Sequence, residues 1–145
     1  MLKPVYALAA CALLCDACGS ASPSTPTAPP PAVVNITGTW ASTDATTSVT
    51  WRLMQTGTAV TGSTTIVDPT DPLYGAGVDG VISGTFDGVT FSYTNSYATL
   101  RQPNCAETDA GSLRVSTATT RTGTNSETNS CRSGAARATV TFTRQ

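Results

Sequence analysis

Ile82-Ser83-Gly84-Thr85-Phe86-Asp87-Gly88-Val89-Thr90-Phe91-Ser92-Tyr93-Thr94-Asn95 is the stretch whose reading decides the fold. Ile82, Gly84 and Phe86 take one side of a period of two, Ser83 and Thr85 take the other, and the alternation resumes in Val89, Phe91 and Tyr93. Successive side chains of an extended chain point to opposite faces, so this is a pair of half-buried strands. Asp87-Gly88 between them predicts a two-residue hairpin turn, because the turn that matches strand twist needs positive φ at its centre.

Working outward, the same period runs through Val34, Ile36, Gly38 and Trp40, through Val49, Trp51 and Leu53, and through Val60, Gly62, Thr64 and Ile66. Later come Leu113 with Val115, and Ala138, Val140 and Phe142. Thr56-Gly57-Thr58 predicts a second tight hairpin. No stretch shows a helical period, and Thr, a residue of half-buried pleated surfaces, makes up about a fifth of the chain.

A short repeat marks the pattern: Thr37-Gly38-Thr39-Trp40, Thr61-Gly62-Ser63-Thr64, Ser83-Gly84-Thr85-Phe86 and Thr122-Gly123-Thr124-Asn125. In the first three copies Gly falls on the apolar face, where a missing side chain lets a strand coil sharply and leaves room for an aromatic neighbour. The fold class expected is therefore all-β, a single up-and-down antiparallel β-barrel of about eight strands over residues 33–145. The links alternate in length. Thr43 to Ser48, Val67 to Asp79, Ser96 to Ala110 and Asn129 to Gly134 are long, while the turns near Gly57, Gly88 and Thr120 are tight, so one end is loop-rich and the other closed.

Cys105 and Cys131 fall in two of the long links, hence at the same end, and are expected to form a disulfide. A catalytic thiol would need a His base, and the chain has no His. Acid–base chemistry is not indicated either, since the acidic residues are few and lie mostly in links, so no enzyme activity and no cofactor are expected. Asp68-Pro69-Thr70-Asp71-Pro72 with Asp79-Gly80 has the oxygen donors of a calcium loop, but Asp-Pro and Asp-Gly are commoner as turn makers, and no metal is assigned. Seven Arg residues are scattered singly against nine acidic residues, which excludes nucleic acid as a partner.

The other three cysteines lie near the start, in Leu8-Ala9-Ala10-Cys11-Ala12-Leu13-Leu14-Cys15-Asp16-Ala17-Cys18-Gly19-Ser20. Lys3, a short apolar run and small residues leading to Cys and Gly-Ser read as a bacterial lipoprotein-type export signal over residues 1–18. The apolar run, Pro4 to Cys15, is far short of the ~20 residues that cross a bilayer. Cys18 is the expected lipidation site, with Cys11 the alternative and lipid-free secretion after Ala21 a third route. Residues 19–32 are almost wholly Ser, Thr, Ala and Pro and form a disordered tether. The expected location is the outer membrane or cell surface, or the periplasm, with the lipid anchor as the membrane partner. The first strand starts at the closed end, so the tether leaves there and the mouth points away from the membrane.

The opening Ile36-Thr37-Gly38-Thr39-Trp40 resembles the Gly-x-Trp start of lipocalins and, more closely, the start of avidins, and Gly88 to Asn95 is similar to an avidin strand. The resemblance implies a calycin-type barrel in which an Arg of the last strand, here Arg144, lies over Trp40 and plugs the closed end, with Gly38 beside it as a structural position. The biotin site is not carried over: Ser42, Thr64 and Val89 stand where avidins place Asn, Tyr and Trp.

If Gly123 faces inward like its counterparts, Arg121, Asn125 and Glu127 face inward too and put polar groups inside the barrel near its mouth. Such groups need a ligand, water or one another. A strand that is short, frayed or shifted by a bulge turns them to water instead. Two functions follow: a tethered barrel that binds a small or apolar molecule at its loop-rich end, or a structural or protein-interaction module of the cell envelope whose interior is filled by Trp40, Trp51, Phe86, Phe91, Tyr93 and Phe142.

Overall fold

A computed structural model describes residues 34–98, 100–102 and 104–145. Cys11, Cys18 and the tether lie outside the described residues. The eight strands are β1 (Gly38–Thr43), β2 (Ser48–Thr56), β3 (Ala59–Asp68), β4 (Gly75–Phe86), β5 (Thr90–Tyr97), β6 (Glu107–Val115), β7 (Thr120–Asn129) and β8 (Ala135–Arg144). Each pairs antiparallel with the next, and β8 returns to β1 through Trp40 with Arg144 and Ala41 with Thr143, closing the barrel. Closure removes every free sheet edge.

The links alternate as the sequence predicts, but two long ones are shorter because the ladders run further toward the mouth. β4 begins at Gly75, where it pairs with Asp68 past a bulge, and β6 begins at Glu107, paired with Tyr97 on one side and Asn129 on the other. The hairpin at Gly57 is a two-residue turn, with Thr56 opposite Ala59 and Gly57 at φ +60°. The turn at Gly88 is longer than predicted, since Phe86 pairs with Phe91. Its geometry is set by the Asp87 carboxylate, which accepts the backbone N–H groups of Val89 and Thr90 at 2.8 and 2.6 Å. Val89 consequently points to solvent.

The lower barrel is filled by Trp40, Trp51, Leu53, Phe86, Phe91, Leu113 and Phe142, which leave only a small apolar void between them. Trp51 stacks on Phe142 with ring centroids 3.7 Å apart and meets Tyr93 edge-on at 4.8 Å. Glycine makes this closeness possible. A Cβ at Gly84 would stand 2.1 Å from the Ser92 carbonyl oxygen and 2.8 Å from the Phe91 ring, and Gly62 and Gly123 likewise face a carbonyl oxygen, so these three copies of the repeat mark places where neighbouring backbones approach too closely for a side chain. A second apolar cluster, including Leu73, Tyr74, Tyr97 and Leu100, lies beneath the β3–β4 and β5–β6 links and roofs one side of the mouth.

Cys105 and Cys131 are joined, with Cα atoms 5.4 Å apart, as expected from their shared end. The bridge ties the start of β6 to the end of β7.

Candidate functional site

At the closed end Trp40 is buried beneath two guanidinium groups, Arg121 at 4.7 Å and Arg144 at 5.7 Å from the ring centroid. Its indole Nε1 donates to the Ile36 carbonyl at 2.8 Å, and Arg144 donates to the Thr37 carbonyl. Arg121 donates to the carbonyls of Thr117 and Thr120 at 2.7 and 3.0 Å. Of the three polar residues expected together near the mouth, Arg121 therefore sits at the opposite end, because β7 starts there. It shares with Arg144 the place over Trp40 for which Arg144 alone was expected. This end is a plug, with no room for a ligand.

Asn125 and Glu127 do reach the mouth. They line a solvent-open cavity of about 200 Å³ between the barrel wall and the loops, together with Ser42, Asp44, Thr47, Val49, Trp51, Ile66, Tyr93, Asn95, Glu107 and Asp109. One side of this cavity is built by neighbouring strands in register. Asn95 of β5 stands opposite Asp109 of β6, which stands opposite Glu127 of β7, and Glu107 follows two residues nearer the rim, opposite Asn129. One carboxylate oxygen from each of Glu107, Asp109 and Glu127 lies within 4.8 Å of the other two.

Burial dominates the electrostatics of this wall. Burial, reinforced by the Glu107 charge, raises Asp109 to about 6, while the amides of Asn95 and Asn125 act in the opposite direction. Burial, then the charges of Glu107 and Asp109 and a hydrogen bond shared with Glu107, raise Glu127 to about 7. Glu107 is held by two donors on the same oxygen, the Tyr74 hydroxyl and the Asn129 amide at 2.8 Å. Tyr93 donates to Asn125 Oδ1 at 3.1 Å, and Tyr97 shares a hydrogen bond with Thr64 at 2.9 Å. Among the described residues no ion pair reaches the three carboxylates; the rim cation Arg132 pairs with Asp71 instead.

The chain matches no protein-family model, no curated protein and no solved structure.

The aspartates weighed for calcium in the sequence are engaged locally. Asp68 accepts Thr70 Oγ1 at 2.6 Å and Thr47 Oγ1 at 2.8 Å, bonds that hold it down to about 2, and it thereby fastens the β3–β4 link to the β1–β2 link. Asp79 accepts from Thr65 at 2.6 Å on the outer surface. The residues that sequence reasoning passed over are Asn95, Glu107 and Asp109. The signal was present: carrying the period of two back from Leu113 through Gly111 reaches Asp109 and Glu107.

Proposed function

We propose that this is an exported, lipid-anchored, lipocalin-like barrel that binds a small, positively charged ligand in its loop-rich mouth. The observation that carries the reading is the wall of Glu107, Asp109 and Glu127, inside a cavity and without an ion-pair partner among the described residues. An apolar ligand there would strip water from three carboxylates and return nothing, whereas a cation offsets their desolvation. Trp51 and Tyr93 add aromatic surface to the floor, which also suits a cation.

Export is supported by the lipoprotein-type start of the chain and by a disulfide that fits an oxidising compartment. The lipocalin-like character is supported by the closed eight-stranded barrel with Trp40 lying under arginine at its closed end. Acyl labelling of the wild-type chain, lost in Cys18→Ala and retained in Cys11→Ala, checks the anchor.

A structural or protein-interaction role is the second reading, favoured by the aromatic filling of the lower barrel, which leaves only the mouth for a ligand. Native mass spectrometry of the protein purified from its own host separates the two. A copurifying cationic species, released by Glu127→Gln, supports the binding reading, and a clean apo mass that no added cation changes supports the structural one.

A further inference from the structure

Two features at the mouth meet in one place. The first is the carboxylate cluster. The second is independent of it: Asn95 is 2 % exposed, lines the same cavity, and its side-chain oxygen has no hydrogen-bond partner among the described residues. A buried amide oxygen left unpaired costs free energy, on the order of 1–3 kcal/mol, unless something outside the protein engages it. No donor among the described residues reaches it, and an electropositive occupant of the cavity answers that need and the charge of the carboxylates together.

We propose that Asn95 Oδ1 and the carboxylates of Glu107, Asp109 and Glu127 bind a single calcium ion at the mouth of the barrel. This deepens, and rests on, the reading of the mouth as a cation site. The donor set is all oxygen, with no His or Cys, which selects a hard cation over zinc or copper. Carboxylates mixed with an amide carbonyl are calcium ligands, and oxygens on opposite sides of calcium stand about 4.6–5.2 Å apart, a span that accommodates the three carboxylate oxygens lying within 4.8 Å of one another. Magnesium, which demands a near-ideal octahedron and usually keeps several waters rather than accept four protein ligands, fits less well. Asn95, Asp109 and Glu127 belong to one cross-strand row, so the ligands stand on paired strands and need little ordering. The Tyr74 hydroxyl and the Asn129 amide both hold Oε2 of Glu107, leaving Oε1 free of either donor. Water from the open side completes the shell.

The test is isothermal titration of the full chain, freed of metal with EDTA and exchanged into clean buffer, with calcium chloride, magnesium chloride and n-butylammonium chloride in separate runs. Calcium is expected to bind with a stoichiometry of one, at least tenfold more tightly than magnesium, and to raise the melting temperature by several degrees. Glu127→Gln and Asn95→Ala are each expected to weaken calcium binding tenfold or more, while Asp79→Asn, on the outer surface, leaves it unchanged. If Asn95→Ala unfolds the chain, the isosteric Glu127→Gln carries the comparison alone. Calcium binding that Glu127→Gln does not weaken overturns the assignment. So does binding of n-butylammonium without calcium, which leaves the cation reading standing. Binding of neither overturns both.

Discussion

Asp109 on β6 and Glu127 on β7 stand directly opposite each other in the ladder, and both line the interior of the barrel mouth. Two acidic side chains placed face to face on adjacent strands repel each other when ionised. Their position therefore makes the mouth sensitive to protons and to cations alike.

The first consequence is a pH dependence of the metal-free protein. Asp109 rises from 3.8 to about 6 through burial and the Glu107 charge, and Glu127 rises from 4.5 to about 7 through burial and the charges of Glu107 and Asp109, with Arg132 acting against this at Glu127. The folded chain thus holds protons that the unfolded chain releases, and stability falls as pH rises from about 4 to about 7. Asp68, lowered to about 2, acts in the opposite sense only below about pH 4. Urea denaturation in EDTA is expected to give a lower midpoint at pH 8 than at pH 5, a difference that Asp109→Asn with Glu127→Gln removes. Equal midpoints in the wild type would contradict the burial of these groups.

The disulfide closes a 26-residue separation, which limits the unfolded chain by about 3–4 kcal/mol. Cys105→Ser with Cys131→Ser is expected to lower the unfolding free energy by that order, measured by chemical denaturation. Because Glu107 and Asn129 lie two residues inside the bridge on either strand, the double variant should also weaken binding at the mouth. Unchanged stability would mean that the ladder already holds this end without help.

Arg121 is 3 % exposed over Trp40 and bonded to two carbonyls, so Arg121→Ala is expected to cost about 1–3 kcal/mol and to exceed the cost of Arg144→Ala. Both variants should bind cations at the mouth as the wild type does. A loss of binding in Arg121→Ala with its fold intact would place this residue in the site after all.

A Cβ on Gly111 would stand 2.2 Å from the Thr124 carbonyl oxygen and 2.8 Å from the Tyr93 hydroxyl. Gly111→Ala is expected to destabilise the barrel by about 1–3 kcal/mol and to break the Tyr93–Asn125 hydrogen bond, read as a shift of the thermal midpoint. Tolerance of the substitution would show that β6 and β7 approach less closely than described.

The barrel was legible because strand alternation is a local property: Val60 to Ile66 and Ile82 to Phe86 declare their buried face residue by residue. The alternation of long and short links then placed Cys105 beside Cys131 without any knowledge of distances. The acidic wall was not legible as such. Glu107 and Asp109, at inward positions of a strand, have the composition of a loop, and only pairing with Tyr97, Asn95, Glu127 and Asn129 extends β6 far enough to turn them inside. Arg121 was misplaced relative to Asn125 and Glu127 for a related reason. Facing inward is a matter of parity, but depth depends on where the strand begins, and β7 begins at the closed end.

The most direct measurement is long-wavelength anomalous diffraction from crystals soaked in calcium chloride. A single peak at about 2.3–2.6 Å from oxygens of Asn95, Glu107, Asp109 and Glu127 is the predicted result. An unoccupied mouth, with Asn95 Oδ1 meeting only ordered water, would contradict it.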